Sequence, residues 1–543
     1  MSELTYRATI PFLHGRNSFN EMMSVGDIKS VSESIIDQAV KPIEDAMLKA
    51  DLQKSDIGLV LLAGGSSKLP LVSEKVEAIT GQVPRLFPKN HMYAVANGAS
   101  LYHRRIYQLP SDKREKRILG DGLGVLTNDG GFTGFRLLLP HNQKLPAKTD
   151  YEFAVSEDQE MVTISLRCQE GTNDNKSRPL KKKDLKLLKK AEKIKVEINV
   201  DTNRLITLTA YDPKNLDHNN SDSIITLQVN RDELSDSDIF HKQKEYGIVV
   251  TASPHSGDRV SEHPCIGIDL GTTTSELAYT NRYGEPDPKC LENEDIGAGY
   301  DSHCYPSVVF FPNGLMNPEV CNKRALDELQ RNNAQANVYG AFKIEDRERP
   351  LGEINGVPIT VESLSAHVIA KIWNDAKQSF LGSGCDLRSA VITVPAAFGP
   401  DECQDTYNAA KLAGIKEVTL IDEPTAAFLY YQSIYPNVSN AEIKNVLVFD
   451  FGGGTADVAI LDVSEDPGVA PGTFKDTLFE VLATSGNTNC GGKHIDLALA
   501  AHMRKIFQDK HQCSLENEVA ALSRIVEAAE KVKIELSNIA LEE

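Results

Sequence analysis

Two stretches of this chain share a design that few folds can accommodate. CIGIDLGTTTSELAYTN (265–281) alternates apolar and polar residues up to Asp269, turns at Gly271 and resumes the alternation after Thr274. NVLVFDFGGGTADVAILDV (445–463) repeats the plan, with Asp450 ending the first strand and Gly452, Gly453, Gly454 and Thr455 turning into the second. Each reads as strand, tight turn, strand, and not as the strand-to-helix turn of a dinucleotide or Walker site. Glycines let backbone N–H groups approach phosphate oxygens without a Cβ clash. Threonine hydroxyls add side-chain donors. An Asp closing each first strand can hold Mg²⁺, usually through its waters, because Mg²⁺ dehydrates reluctantly. One such turn is as often structural as functional. Two of the same design in one α/β region point to a phosphate cradle.

A third glycine motif, LLAGGSSKLP (61–70), is of the strand–Gly-Gly–helix type and suits a nucleoside. No GxxxxGK[ST] loop exists; GNTNCGGK (486–493) comes near, with Gly492 where the lysine is needed. The net charge of −19 argues against a nucleic-acid partner, since phosphate neutralisation needs surplus Lys and Arg. No window approaches ~18 uninterrupted apolar residues, so no membrane span is predicted. The N-terminal MSELTYRATIPFLHGR has no secretory pattern. Nine scattered cysteines favour a reducing, cytoplasmic setting. Cys265, Cys290, Cys304 and Cys321 lack CxxC spacing, which argues against a metal site there.

At roughly 150 residues per domain, 543 residues predict three or four domains. Residues 1–108 read as α/β: Ile28, Val31, Ile35, Val40, Ile43 and Met47 recur at helical spacing, and IGLVLLAGG (57–65) is a buried strand followed by a helix from about Leu71. Residues 109–117, LPSDKREKR, are a charged linker. From 118 to 231 the period becomes two, and GFRLLLP, YEFAVSE, MVTISLRCQE, KIKVEINVD and RLITLTAYD make an all-β domain. Within it, Lys176–Lys195 carries ten Lys/Arg against two acidic residues, a solvated loop in the first instance and a contact for an acidic partner in the second. Residues 232–262, rich in Ser, Asp and Pro, read as a linker, and 263–543 return to alternating strands and helices.

Taken together, these motifs resemble the actin-like ATPases, and more closely the seventy-kilodalton heat-shock chaperones (DnaK-type), over nearly the whole chain. IDLGTTTS and FDFGGGTADV look like the family's two phosphate motifs, and AVITVPAAFGPDECQDTYNAAKLAGIKEVTLIDEPTAA (390–427) like the stretch between them. AEKVKIELSN (529–538) resembles its adenine-side helix, LAGGSSKLP its adenosine motif, and YPSVVFF (305–311) and AFKIE (341–345) also match. Residues 118–231 resemble its peptide-binding sandwich. The resemblance implies a multidomain chain: a two-lobed actin-like α/β ATPase assembled from C-terminal and N-terminal segments, plus an all-β peptide-binding sandwich. The motif order is rotated relative to the family, so the chain reads as a circular permutant whose original ends are joined by 232–262. A flexible segment of those 31 residues averages roughly 30 Å and reaches at most about 100 Å.

The resemblance further implies a cytoplasmic chaperone that binds ATP/ADP with Mg²⁺, hydrolyses ATP and takes unfolded or extended peptide segments, with a J-domain-type co-chaperone and a nucleotide-exchange factor as partners and no membrane or nucleic acid. Asp269 and Asp450 would organise Mg²⁺ through waters. Gly271, Thr272, Thr273, Gly452, Gly453, Gly454 and Thr455 would cradle the phosphates. Lys343 would set a positive charge on the γ-phosphate and orient water, and Glu423 would help position water or Mg²⁺. Glu530, Lys533 and Ser537 share a helix face and would line the adenosine side with Gly64, Gly65, Ser66 and Lys68. Pro395 aligns with the family's switch proline, or is a turn proline.

Three departures stand out. The family's acidic pair after Asn-Pro near the base is replaced by Asn90-His91-Met92-Tyr93. Its leucine-rich interdomain linker is replaced by LPSDKREKR, whose Lys113, Arg114, Lys116 and Arg117 dock only at a desolvation cost unless acidic partners receive them, so weak ATP–peptide coupling is expected. Its helical lid has no counterpart beyond 232–262. Two other readings stand beside the ATPase: a nucleotide-bound interaction scaffold with little turnover, and an actin-like-fold small-molecule kinase.

Overall fold

The computed structural model describes residues 4–542 apart from 88–90, 110–116, 130–131, 156–160, 170–176, 187–191, 214–223, 229–233, 252–263, 284–285, 298–299, 332–335, 346–348, 381–386, 436–442, 464–478 and 516–517. Two sheets of one plan organise the α/β part. In the first, Pro264–Asp269, Thr274–Asn281 and Lys289–Cys290 form an antiparallel meander. Ser389–Val394 and Glu417–Asp422 then extend it in parallel from the first of these strands. In the second, Asn445–Phe451, Ala456–Asp462 and Glu480–Asn487 make the meander, and Ile57–Ala63 and Arg85–Leu86 extend it in parallel. Parallel neighbours require crossovers, which are supplied here by helices such as Pro400–Leu412 and Pro70–Thr80. The two parallel strands at one end of the second sheet come from the start of the chain and the other three from near its end.

The same mixing holds in the core. Ile36, Ile43, Val60 and Val72 from the N-terminal part pack with Phe449, Ile460, Leu499, Phe507 and Val532 from the C-terminal part. The expected first helix is Val25–Lys49. Ser24 caps it in a reciprocal capping box with Asp27, and Ile28, Ser32, Ile36, Ala39/Val40, Ile43 and Ala46/Met47 recur on its buried face. Val31 and Ile35, expected in the core, pack only at its margin. The other lobe has its own core around Ile268, Leu277, Leu364, Trp373, Val394 and Leu420.

The eight strands from Leu123–Asp129 to Ile224–Gln228 form the expected sandwich. One sheet runs Phe132–Leu139, Leu123–Asp129, Met161–Gln169, Ser177–Lys186, and the other Ile224–Gln228, Ile206–Tyr211, Lys193–Val200, Ala147–Ala154. Leu123, Ile164, Leu166, Ile198 and Leu208 fill the space between them. Two readings need correction. The basic run is not one loop: Ser177–Lys186 and Lys193–Val200 are strands, while 176 and 187–191 lie outside the described residues. Nor is 232–262 all linker. Ser235 and Asp238 form a capping box that starts the helix Asp236–Tyr246, Gly247 ends it at φ 69°, and Tyr246 and Ile248 bury in the first lobe. A short polar segment looks like linker when its inward apolar residues are few and scattered, here Tyr246 and Ile248 with Leu234, Ile239 and Val250 packed alongside.

Of LPSDKREKR, residues 110–116 lie outside the described residues. Arg117 is buried against the α/β part, where its Nη2 donates to Asp422 Oδ1 at 2.8 Å. The sandwich turn carrying Arg204 meets the same carboxylate: Arg204 Nη2 donates to Asp422 Oδ2 at 3.2 Å, and Nη1 to the carbonyls of Ala396 and Phe398. An acidic receiver for at least one linker cation therefore exists, contrary to the ground on which docking was expected to be costly.

Candidate functional site

The two glycine hairpins face each other between the lobes. A Cβ placed on Gly454 would come 2.6 Å from Thr272 Oγ1, and one on Gly453 2.4 Å from Thr273 Oγ1, so the tips pack with no room for side chains at these two positions. Gly271 turns tightly enough that a Cβ there would sit 2.0 Å from the Thr274 carbonyl. Ser307 buttresses this first turn, its hydroxyl donating to Gly271 O at 2.8 Å and its N–H to Thr273 O at 2.9 Å. The adenosine-type motif joins the same place. Gly64, at φ 77°, lies so close that a Cβ would stand 2.4 Å from Asp450 Oδ1, and Ser66 Oγ donates to Gly452 O at 2.9 Å.

Around these turns stand the charged side chains. Lys343 is buried, donating to the Leu270 carbonyl and, at 2.8 Å, to Glu423 Oε1. Glu423 opens the helix Glu423–Ile434 directly after the strand that ends at Asp422. Asp269 accepts from Thr393 Oγ1 at 2.7 Å. Burial raises the Asp450 carboxyl to about 8, with help from neighbouring Asp457 and Asp269, and raises Glu423 well above the usual carboxylate range against the pull of Lys343. Asp269 is raised too, again by burial. Thr455 is buried beside them.

The structure also brings in groups that the motif reading passed over. Asp457 is fully buried, accepts from Ala397 N–H at 3.1 Å, and is raised by burial to about 6. It faces Asp450 across the hairpin. The signal was in the sequence, since Asp450 and Asp457 are equidistant from the Gly-Gly-Gly-Thr turn and must therefore pair across it. Glu276 faces Asp269 by the same symmetry about the first turn, and it too is buried. The near-miss loop is not a P-loop but a backing for the second hairpin: Gly492 N–H donates to Gly452 O at 3.0 Å, Lys493 N–H to Gly453 O at 2.9 Å and Cys490 N–H to Gly454 O at 3.1 Å.

The adenosine-side residues converge less tightly. Lys533 Nζ donates to Asp496 at 2.8 Å and reaches Gly492 O at 3.4 Å. A Cβ on Gly492 would lie 2.4 Å from Ser66 Oγ and 3.1 Å from Lys533 Nζ, so these three meet. Lys68 Nζ donates to Asn538 Oδ1 at 3.2 Å, which ties the motif to the helix Val519–Glu542. Ser537 spends its hydroxyl on the Lys533 carbonyl one turn back, and Glu530 stands half-buried on the same helix. Met92 Sδ lies 3.3 Å from where a Gly65 Cβ would be, so the residue in place of the family's acidic pair covers this motif. Pro395 is buried and heads a turn closed by Phe398 N–H at 3.0 Å.

Four carboxyl groups, Asp269, Asp450, Asp457 and Glu423, thus surround one lysine. Burial raises these carboxyls, a bound cation would hold them ionised, and hard oxygen donors suit Mg²⁺. Among the described residues no three His, Cys, Asp or Glu side chains converge as direct ligands. The carboxylate oxygens fit Mg²⁺, which commonly keeps several of its waters.

A family model described as Hsp70 protein matches residues 2–248 and 323–542. The chaperone protein DnaK of Endomicrobium trichonymphae is 37% identical over 277 residues, 50% of this chain and 40% of that protein. The DnaK of Thermus thermophilus is 35% identical over 292 residues, 50% of this chain and 43% of that protein. That of Thalassiosira pseudonana is 44% identical over 178 residues, 33% of this chain and 26% of its own length. Each alignment spans less than half of the relative.

Proposed function

Since the chain belongs to the Hsp70 family of chaperones, we propose that it binds ATP with Mg²⁺ between the two lobes, hydrolyses it, and takes extended apolar peptide segments on the sandwich. The observation that carries this reading is the gathering of half-buried Asp269 and buried Asp450, Asp457 and Glu423 around buried Lys343, directly behind two facing glycine–threonine turns. Backbone N–H groups of Gly271–Thr273 and Gly453–Thr455 hold the phosphate oxygens, while the Gly452 N–H closes the second turn on the Thr455 carbonyl at 3.0 Å. Lys343, released from the Leu270 carbonyl, neutralises charge on the γ-phosphate, while Glu423 and Asp457 orient the attacking water. Asp269 and Asp450 would hold Mg²⁺ through waters, and the ion would supply charge neutralisation at the phosphates. Gly64, Gly65, Ser66, Lys68, Glu530, Lys533 and Ser537 line the nucleoside side.

The motif order supports a circular permutation with domains at 1–108, 118–231 and 263–543. Unfolded peptide, a J-domain-type co-chaperone and a nucleotide-exchange factor are the partners this reading implies, in the cytoplasm. Among the described residues no helix is long and apolar enough to cross a membrane. The deciding experiment is phosphate release by the purified chain with Mg²⁺-ATP, with and without an unfolded peptide. Turnover stimulated by peptide supports the proposal. ATP retained without phosphate release would replace hydrolysis with the holding of a structural ligand.

A further inference from the structure

The strand Ser389–Val394 runs parallel to Pro264–Asp269, with Gly267 beside Val391 and Ile268 beside Ile392. One step further, the same register sets Thr393 beside Asp269. Neighbours on parallel strands send their side chains to the same face of the sheet. The two side chains meet there, Thr393 Oγ1 donating to Asp269 Oδ1 at 2.7 Å. Thr393 belongs to neither glycine hairpin.

Its hydroxyl stands out in its own strand. Ala390, Val391, Ile392 and Val394 are all apolar and buried. Packing alone would be served as well by valine, which has the same branched shape. Thr393 is 0% exposed, so its proton must go to a protein acceptor, because a buried hydroxyl without a partner is destabilising. The β-branch also leaves the side chain few rotamers, so the donor stands in a fixed place.

Asp269, in contrast, is only half-buried. Lys343 donates to the carbonyl of Leu270, the next residue, and stands close enough for its charge to act on the Asp269 carboxyl. A carboxylate free to rotate would pair with that ammonium, and both groups would be lost to the site. Glu276 also bonds to Asp269 from across the hairpin, but it is itself a carboxyl. Thr393 is the neutral donor beside it, and a hydroxyl bonds an ionised carboxylate strongly.

Resting on the reading of Asp269 as a holder of Mg²⁺ through waters, we propose that Thr393 is a positioning residue for that ion. Its hydroxyl engages Oδ1 and fixes the rotamer of Asp269, so that the carboxylate meets the ion's waters instead of pairing with Lys343. Partners of this kind, one step behind a metal-holding side chain, tune the affinity of the site.

The test follows the ADP affinity of the full chain as Mg²⁺ is raised from chelator conditions, in the parent and in Thr393→Val, Thr393→Ala and Thr393→Ser. The two substitutions that remove the hydroxyl should raise the Mg²⁺ concentration at half effect by about fivefold or more, and Thr393→Ser should hold it within about twofold of the parent. In chelator all four should bind ADP equally within about twofold, because Thr393 acts through Asp269 and not on the nucleoside. A merely structural role would weaken ADP binding in chelator as well. Valine keeps the volume and alanine does not, so a shift with alanine but none with valine traces to packing and overturns the proposal. An unshifted midpoint in both, or a shift that Thr393→Ser fails to restore, overturns it too. Should Thr393→Val not fold, Thr393→Ala against Thr393→Ser decides. A parent whose ADP affinity ignores Mg²⁺ overturns the reading of Asp269 itself, which separates that failure from a failure of Thr393 alone.

Discussion

Lys343 can serve only one partner set at a time. Its ammonium donates to the Leu270 carbonyl and to Glu423. A γ-phosphate offers a stronger, charged acceptor in the same place. Lys343→Ala should therefore cut single-turnover hydrolysis by about 10²-fold or more while ATP affinity changes by less than about tenfold, because the lysine acts on the transferring group. Hydrolysis at the parental rate would reject that role. The carboxylates make a second prediction. Asp450 titrates near 8 and Asp457 near 6 in the folded chain, both above the unfolded carboxylate value. A raised folded value means that the folded state binds more protons, so this cluster favours folding at low pH and loses that contribution as pH rises from about 4 to about 8. In chelator, without nucleotide, urea midpoints should fall across that window, and Asp450→Asn should flatten the slope. An unchanged slope would show that Asp450 is already ionised.

At the scale of elements, the helix Ala94–Gln108 decides whether the site holds together. It packs against Glu423–Ile434 through Gly98, where a Cβ would lie 1.7 Å from the Ala426 carbonyl, and beneath the strand Pro264–Asp269, whose Gly267 would meet Ser100 N–H at 2.2 Å. Gly98→Val must push apart the helix that starts at Glu423, separating it from Lys343. The expected result is a stability loss of about 2 kcal/mol or more, from overpacking, together with reduced hydrolysis. Activity and melting temperature both at parental values would refute the packing argument. This contact shows what was legible. Strand–turn–strand hairpins, a capped amphipathic helix and a period-two sandwich follow from local spacing, and the structure contains them. Asp457 and Glu276 were legible too, by symmetry about their turns, but motif reading stopped at the first Asp of each hairpin. The helix Asp236–Tyr246 and the role of Gly98 were not, because their burial depends on surfaces hundreds of residues away in sequence. The Arg204–Asp422 meeting lay beyond reach for the same reason.

At the scale of the whole molecule, that meeting sets how the sandwich and the α/β part communicate. Asp422 is 1% exposed, with Arg117 on one oxygen and Arg204 on the other, and it immediately precedes Glu423 of the proposed site. Asn203, in the same turn as Arg204, accepts from Leu420 N–H at 3.0 Å and extends the contact. Weak coupling is expected from a linker with little apolar area, a sandwich tied to the ATPase at both ends and cations costly to dock unless acidic groups receive them; for Arg117 that acidic group is Asp422. Two opposed forces act on the contact: burying three charges is costly, and removing one of them leaves the others incompletely matched. Arg204→Ala should therefore weaken docking by about 3 kcal/mol, measured as faster proteolysis at the sandwich–α/β junction or as a larger radius of gyration in solution. Asp422→Asn should weaken it as well. The double variant should be little worse than either single one, because both act on one ion cluster. Salt distinguishes this cluster from a surface pairing. A dry, closed ion cluster is screened far less than an exposed one, so raising ionic strength should slow redocking more than it speeds release. Strictly additive effects of the two substitutions would mean that Arg204 and Asp422 do not act through each other, and the route from sandwich to Glu423 would then have to run elsewhere.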